Sequence, residues 1–257
     1  MTDPPLTAVV TGGASGIGLR VVERLRENGA QVVVADSDPS ALDALARASG
    51  SGIIPLCVDV RNESDIQRMV AAAGECGNFR LAVNAAGMGE GAPLVDELLT
   101  TWERVHSIVL AGTFLSVKHE AREMIKSGLG GAIINVASIN ANIPTWSSSA
   151  YSSAKAGVEM LTKSAALELA RYGVRVNCVS PGLVETPMAR RTGNLEPAML
   201  ERWLQHTPLG RVGNTDDIAS AILFLGGDQS MWVTGHNLVV DGGLSLTAGP
   251  VTEDLLS

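Results

Sequence analysis

Tyr151 and Lys155 stand four residues apart at the start of a helical run, so the phenol and the ammonium share one helix face. A phenol titrates near ~10 in water, and taking up a proton near neutral pH requires its phenolate to be stabilised by about 4 kcal/mol. A neighbouring ammonium acts in that direction. Ser138 follows the β-branched run Ala132-Ala137, and a hydroxyl at the carboxyl end of a strand faces the ligand crevice of a parallel sheet. It can orient a substrate oxygen. Tyr-x-x-x-Lys alone also fits an ordinary amphipathic helix; its combination with Ser138 and the motifs below points to acid/base chemistry.

A second group of residues suits an anion. The first β-branched run leads into Thr11-Gly12-Gly13-Ala14-Ser15-Gly16-Ile17-Gly18 and then directly into a helical segment. Gly12, Ser15, Gly16, Ile17 and Gly18 thus lie where a backbone passes close to a pyrophosphate at a helix N-terminus, whose bare N–H groups and dipole favour negative charge. Asp36 ends the second run, about 20 residues further on, where a carboxylate accepts hydrogen bonds from ribose hydroxyls. The same charge repels a ribose phosphate by roughly 4 kcal/mol at about 4 Å and intermediate dielectric. Neither Ala14 nor Ser37 offers a compensating cation. The cofactor expected is therefore NAD(H), in preference to NADP(H).

The elements that must hold these groups alternate almost from end to end. Strands are predicted near Ala8-Thr11, Gln31-Asp36, Ile53-Val58, Leu81-Asn84, Ala132-Ala137, Val174-Ser180 and Asn237-Val240. Helices are predicted near Gly16-Asn28, Ser40-Ser49, Ser64-Ala73, Trp102-Lys126, Ser152-Ala170 and Asp216-Leu225, with Gly29 as a stop for the first. Right-handed crossovers make this an α/β fold, a Rossmann-type doubly wound parallel sheet of about seven strands with helices on both faces. Residues 1-257 read as a single domain, with an irregular, Pro-punctuated substrate lid near 183-211.

Composition narrows the function. A net charge of -8 opposes partners that present phosphate backbones or anionic lipid, so neither nucleic acid nor membrane is expected. No apolar run is long enough to span a bilayer, and the start of the chain (Asp3, Pro4, Pro5) lacks a basic segment followed by an apolar one. A cytoplasmic location is expected. Cys57, Cys76 and Cys178 suggest neither a disulfide framework nor a zinc site, and His119, His206 and His236 lack metal-ligand spacing. No metal is expected.

The glycine loop, Asp36, Asp59-Val60, Asn84-Ala85-Ala86-Gly87, Ser138, Tyr151/Lys155 and Pro181-Gly182 occur in an order that resembles the short-chain dehydrogenase/reductase family over nearly the whole chain. The resemblance implies that Asp59 and Val60 hold the adenine and that Asn84 supports the strand end beside the adenosine ribose. Ala85 and Gly87 leave room for a ligand against the backbone. It implies that Lys155 also binds the nicotinamide ribose, that Pro181 and Gly182 border the nicotinamide, and that Val184 and Thr186 hold its carboxamide. It further implies a homo-oligomer, most often a tetramer, formed through the helices Trp102-Lys126 and Ser152-Ala170 and the segment Val239-Gly243.

The activity so implied is NAD(H)-dependent interconversion of a secondary alcohol and a ketone on a small organic substrate by direct hydride transfer. Tyr151 would be the general acid/base, Lys155 its activator and Ser138 the orienting group. One departure supports an alternative, an NAD-binding sensor with weakened catalysis. Val109 occupies the place of the family's tetrad asparagine, and valine has no polar group to hold a local helix kink or a relay water. His106, one turn earlier, reads as structural. Asn140, Asn142, Ile143, Thr145 and Trp146 suit a cavity wall, and Met188, Leu195, Met199 and Trp203 suit either a cover over an apolar substrate or the seat of a short helix. Arg190 and Arg191 read mainly as solvated charges.

Overall fold

In the computed structural model, residues 5–246 are described; Asp3, Pro4 and the ends of the 1-257 domain assignment lie outside them. Seven strands, β1 (Thr7–Thr11), β2 (Gln31–Asp36), β3 (Ile53–Cys57), β4 (Phe79–Asn84), β5 (Gly131–Val136), β6 (Val174–Pro181) and β7 (Asn237–Val240), form one sheet in the order β3-β2-β1-β4-β5-β6-β7. All six pairings are parallel. Its strands are runs of valine, isoleucine and alanine because both faces are covered. Along β1, Ala8 and Val10 enter one core while Val9 enters the other.

The helices divide accordingly. One core is closed by α1 (Gly16–Glu27), α2 (Pro39–Ser49) and α9 (Thr215–Gly226), through Val21, Val22, Leu25, Leu42, Ile218 and Ile222. The opposite core is closed by α3 (Glu63–Cys76), α5 (Gly112–Ser127) and α6 (Ser149–Leu169), through Ile66, Met69, Val117, Met124 and Ala165. Strand order reverses between β1 and β4, which opens a crevice at their carboxyl ends.

Two segments differ from the sequence reading. The helix expected over Trp102-Lys126 is α4 (Leu99–His106), a π-turn (Ser107–Ala111) and α5 in direct succession. Thr113 Oγ donates to the Val109 carbonyl at 2.7 Å, four residues back, and Leu110 packs where a side chain on Gly157 of α6 would stand. The segment 183-211 is not irregular throughout, since it contains α7 (Pro187–Arg191) and α8 (Pro197–Gln205). Pro187 and Pro197 begin these helices instead of breaking them, because a first-turn residue has no use for an N–H and proline's φ is already helical.

Candidate active site

The end of β1 and the start of α1 form a cradle that leaves no room for side chains. A Cβ on Gly12, whose φ is +63°, would lie 2.9 Å from the Ala86 backbone, and one on Gly18 would overlap the Gly12 carbonyl. Ser15 is the N-cap of α1 but makes no side-chain cap hydrogen bond, and the first turn carries no acidic residue. By contrast α2, α3 and α9 are capped by the side chains of Asp38, Asn62 and Asn214. The start of α1 therefore keeps its donors for an outside anion, which fits a dinucleotide pyrophosphate. Ile17 is partly buried against the core under α1.

Asp36 sits beside this loop. Its Oδ2 accepts from Ala14 N at 3.1 Å and its Oδ1 from Asp38 N at 3.1 Å, which straps the loop to the end of β2 and fixes the direction of the carboxylate. Asp59 is held by Arg61, which donates to both carboxylate oxygens, and this pairing lowers the Asp59 carboxyl below its ordinary range. Val60 is buried against Gly112, at the first residue of α5.

The end of β4 is tied to β1. Ala85 N donates to the Thr11 carbonyl at 3.2 Å and Ala86 N to Thr11 Oγ at 3.3 Å. Asn84 turns inward, its Nδ2 donating to Glu120 Oε2 and to Asn135 Oδ1 at 3.0 Å each, while Asn135 Nδ2 donates to Thr162 Oγ at 2.9 Å. Thr162 in turn donates to the Val158 carbonyl, so the chain from Asn84 through Asn135 and Thr162 ends on that carbonyl, while Glu120 accepts from Asn84 at its other end. Glu120 is fully buried with one oxygen unpartnered, and burial pushes its carboxyl up to about 8.

Ser138, Tyr151 and Lys155 converge at the ends of β5 and α6. Lys155 is buried, its Nζ donates to the Val136 carbonyl at 2.6 Å, and it lies 5.7 Å from the centre of the Tyr151 ring. Gly87 lies beside the same Nζ, which would be in ordinary contact, at 3.8 Å, with a Cβ placed there. Burial lowers the Lys155 ammonium to about 8. Burial raises the Tyr151 phenol, and a hydrogen bond with Ser138 acts the other way by favouring the phenolate. Ser138 Oγ also accepts from Asn140 N at 3.1 Å.

The loop after β6 closes the cleft on its far side. A Cβ on Gly182 would meet Asp241 at 2.8 Å, Pro181 ends β6, and Val184 is buried and bridges to Gly213. Thr186 N-caps α7 by accepting from Ala189 N at 3.1 Å, and its methyl lies against Gly16. The start of α7 thus rests on the glycine loop. Met188 and Thr192 face Gly89, Arg190 pairs with Glu185, and Trp146 is almost fully exposed. His106 stacks on Trp102 and contacts the Trp102 carbonyl and Ser153 Oγ, as a structural histidine does.

Sequence reading did not single out Thr11, Glu120, Asn135, Glu159 or Thr162. The one available signal was asparagine inside apolar strand runs, where a buried amide must find partners. Among the described residues no cluster of His, Cys, Asp or Glu could hold a metal ion, and no helix is long and apolar enough to cross a membrane.

A parallel seven-stranded sheet with a glycine cradle at its switch point and a Ser, Tyr, Lys group beside it defines a nucleotide-binding oxidoreductase class. A family model described as enoyl-(acyl carrier protein) reductase matches residues 12–245, and the chain belongs to the short-chain dehydrogenase/reductase family. It is 41% identical over 242 residues to the cis-4-hydroxycyclohexanecarboxylate dehydrogenase of Sinomonas cyclohexanicum, covering 92% of this chain and 95% of that one. It is 37% identical over 248 residues to the galactitol 2-dehydrogenase (L-tagatose-forming) of Cereibacter sphaeroides, covering 93% and 94%. The crystal structure of levodione reductase superposes with a TM-score of 0.88 at 30% identity, over 94% of this chain and 98% of that one. The protein is an oxidoreductase of this family acting on a small molecule.

Proposed function

We propose that the protein is an NAD(H)-dependent dehydrogenase that interconverts a secondary alcohol and a ketone on a small organic substrate. The convergence of Ser138, Tyr151 and Lys155 at one end of the sheet, beside the glycine cradle, carries this reading. Gly12, Ser15, Gly16, Ile17 and Gly18 would hold the pyrophosphate, and Asp36 the adenosine ribose. Asp59 and Val60 would border the adenine, with Asn84, Ala85 and Gly87 forming the wall behind that ribose. Pro181, Gly182, Val184 and Thr186 would border the nicotinamide. The bound nicotinamide supplies the carbon that accepts or gives the hydride.

The protein's own part is proton transfer and orientation. Ser138 Oγ holds the substrate oxygen, and Tyr151 Oη takes the carbinol proton in oxidation or returns it in reduction. Lys155 lowers the cost of the phenolate through its charge, and burial strengthens that charge's effect on the phenol. Oxidation is favoured as the working direction because NAD(H) pools generally serve it. The alternative of an NAD-binding sensor draws on Val109 alone, and the π-turn around Val109 is present without an asparagine.

Both cofactors are to be titrated by calorimetry, and cyclohexanol, 4-hydroxycyclohexanecarboxylate and galactitol tested with NAD by NADH absorbance. NAD(H) should bind more tightly, and at least one alcohol should be oxidised. Tighter binding of NADP(H) would overturn the cofactor assignment. Assembly into a homotetramer is part of the proposal, supported by exposed Met160 and Leu167 on α6 and Val239 on β7. A monomer by light scattering would contradict it.

A further inference from the structure

Glu159 lies one turn beyond Lys155 on α6 and is buried, with four hydrogen bonds to its carboxylate. Asn142 Nδ2 donates to Oε1 at 2.8 Å and to Oε2 at 3.0 Å, Ser180 Oγ donates to Oε1 at 3.1 Å, and Asn237 Nδ2 donates to Oε1 at 2.7 Å. The three donors belong to three different segments: the turn after β5, the end of β6 and the start of β7. Three donors on one oxygen suit a carboxylate. A glutamine amide would turn its own N–H groups toward at least one of them.

These anchors hold both ends of the turn that carries Ser138. At the far end, Ala141 N bonds to the Ser138 carbonyl and Asn142 N to the Ile139 carbonyl, so the 3-10 turn Ile139–Ala141 joins Ser138 rigidly to Asn142. At the near end, Ala137 N donates to the Val179 carbonyl at 2.8 Å, and Val179 adjoins Ser180. Asn142 and Ser180 both end on Glu159, and Glu159 sits on the helix that bears Tyr151 and Lys155.

We infer that Glu159 is a positioning residue: by tying Asn142 and Ser180 to α6, its carboxylate fixes the Ser138 hydroxyl against the Tyr151 phenol. Its effect on rate rests on the acid/base reading above; its effect on geometry does not. Glu159 touches no reacting atom. Removing it lets the Ser138 turn move relative to α6, and Tyr151 then loses a hydrogen bond that favours its phenolate.

The chain contains two tyrosines, Tyr151 and Tyr172, so protein labelled with 3-fluorotyrosine gives two fluorine resonances, assigned by Tyr151→Phe. In Glu159→Ala the Tyr151 resonance should move toward its position in Ser138→Ala. Turnover with the best alcohol of the panel above should fall about tenfold, while the NADH dissociation constant should stay within about threefold. The double variant Asn142→Asp/Glu159→Gln reverses the polarity of one hydrogen bond and keeps an acceptor for Ser180 and Asn237. It should bring the resonance and most of the turnover back, whereas Asn142→Asp alone should not.

A folded Glu159→Ala with its Tyr151 resonance unmoved would overturn the inference. If Glu159→Ala does not fold, Asn142→Ala takes its place with the same outcomes. Full turnover by Tyr151→Phe would instead sink the acid/base reading, and the fluorine shift would still report on Glu159.

Discussion

The two halves of the cleft are built from different materials. The half formed by β1, α1 and β2 is made of backbone: glycines pressed against carbonyls, uncapped N–H groups and one carboxylate strapped to the loop. The half formed by β5, α6 and β6 is made of buried polar side chains whose protonation is displaced from its ordinary range. Binding an anion needs fixed donors that do not titrate. Moving a proton needs groups whose two charge states are close in free energy: burial brings the Lys155 ammonium down to about 8, and the Ser138 hydrogen bond offsets part of the burial that raises the Tyr151 phenol. The first half should therefore break by steric change and the second by changes of charge or hydrogen bonding.

The largest effect on the backbone half should come from Gly18→Ala. The new methyl overlaps the Gly12 carbonyl, and neither backbone can retreat without opening the loop. Calorimetry should show NADH affinity reduced by at least about tenfold. Unchanged affinity would mean that the loop is not the cradle.

Most of the backbone half was legible in the sequence, since glycine spacing, the following helix and Asp36 are local signals. So were the seven strands, because β-branched runs buried on both faces need no distant partner to be recognised. The half that holds Ser138, Tyr151 and Lys155 was legible only in part. Tyr151 and Lys155 announce themselves by helical spacing, but the residues that hold them do not. Asn84, Asn135 and Glu120 meet across separations of 36 and 51 residues, and Glu159 meets Asn237 across 78. No local pattern encodes such pairs. The π-turn was equally hidden, because it arises where Leu110 packs on Gly157 and Gly112 on Val60.

Glu120 offers a middle-sized effect. Its carboxyl rises from an ordinary 4.5 to about 8 in the folded chain, so between those values the folded chain keeps a proton that the unfolded chain has released. The stability this contributes is complete below pH 4.5 and is lost as pH rises through 8. Glu120→Gln keeps an acceptor for Asn84 and removes the titration. Thermal unfolding at about pH 6 and about pH 9 should show the unaltered protein losing more stability than the variant. Parallel losses in the two proteins would show that Glu120 carries no such proton.

The smallest effect should come from Val109→Asn. The π-turn already presents a distorted backbone, with Val109 buried among Val105, Ala137, Ala150 and Val158 and its carbonyl bound by Thr113. Restoring an asparagine should change turnover across pH by less than about tenfold. A larger rise, equivalent to more than about 1.4 kcal/mol of barrier, would show that valine impairs the relay and would favour the sensor reading.

The most direct test of the whole account is Tyr151→Phe, measured for turnover and for NADH affinity in the same preparation. Removing one hydroxyl takes away the proposed proton-transfer group and leaves the backbone cradle intact. Turnover should fall by roughly 10²–10⁴-fold while NADH affinity stays nearly unchanged. Turnover within a few fold of the unaltered protein would contradict the assignment of Tyr151 as the acid/base, and with it the division of the cleft into a half that binds and a half that moves the proton.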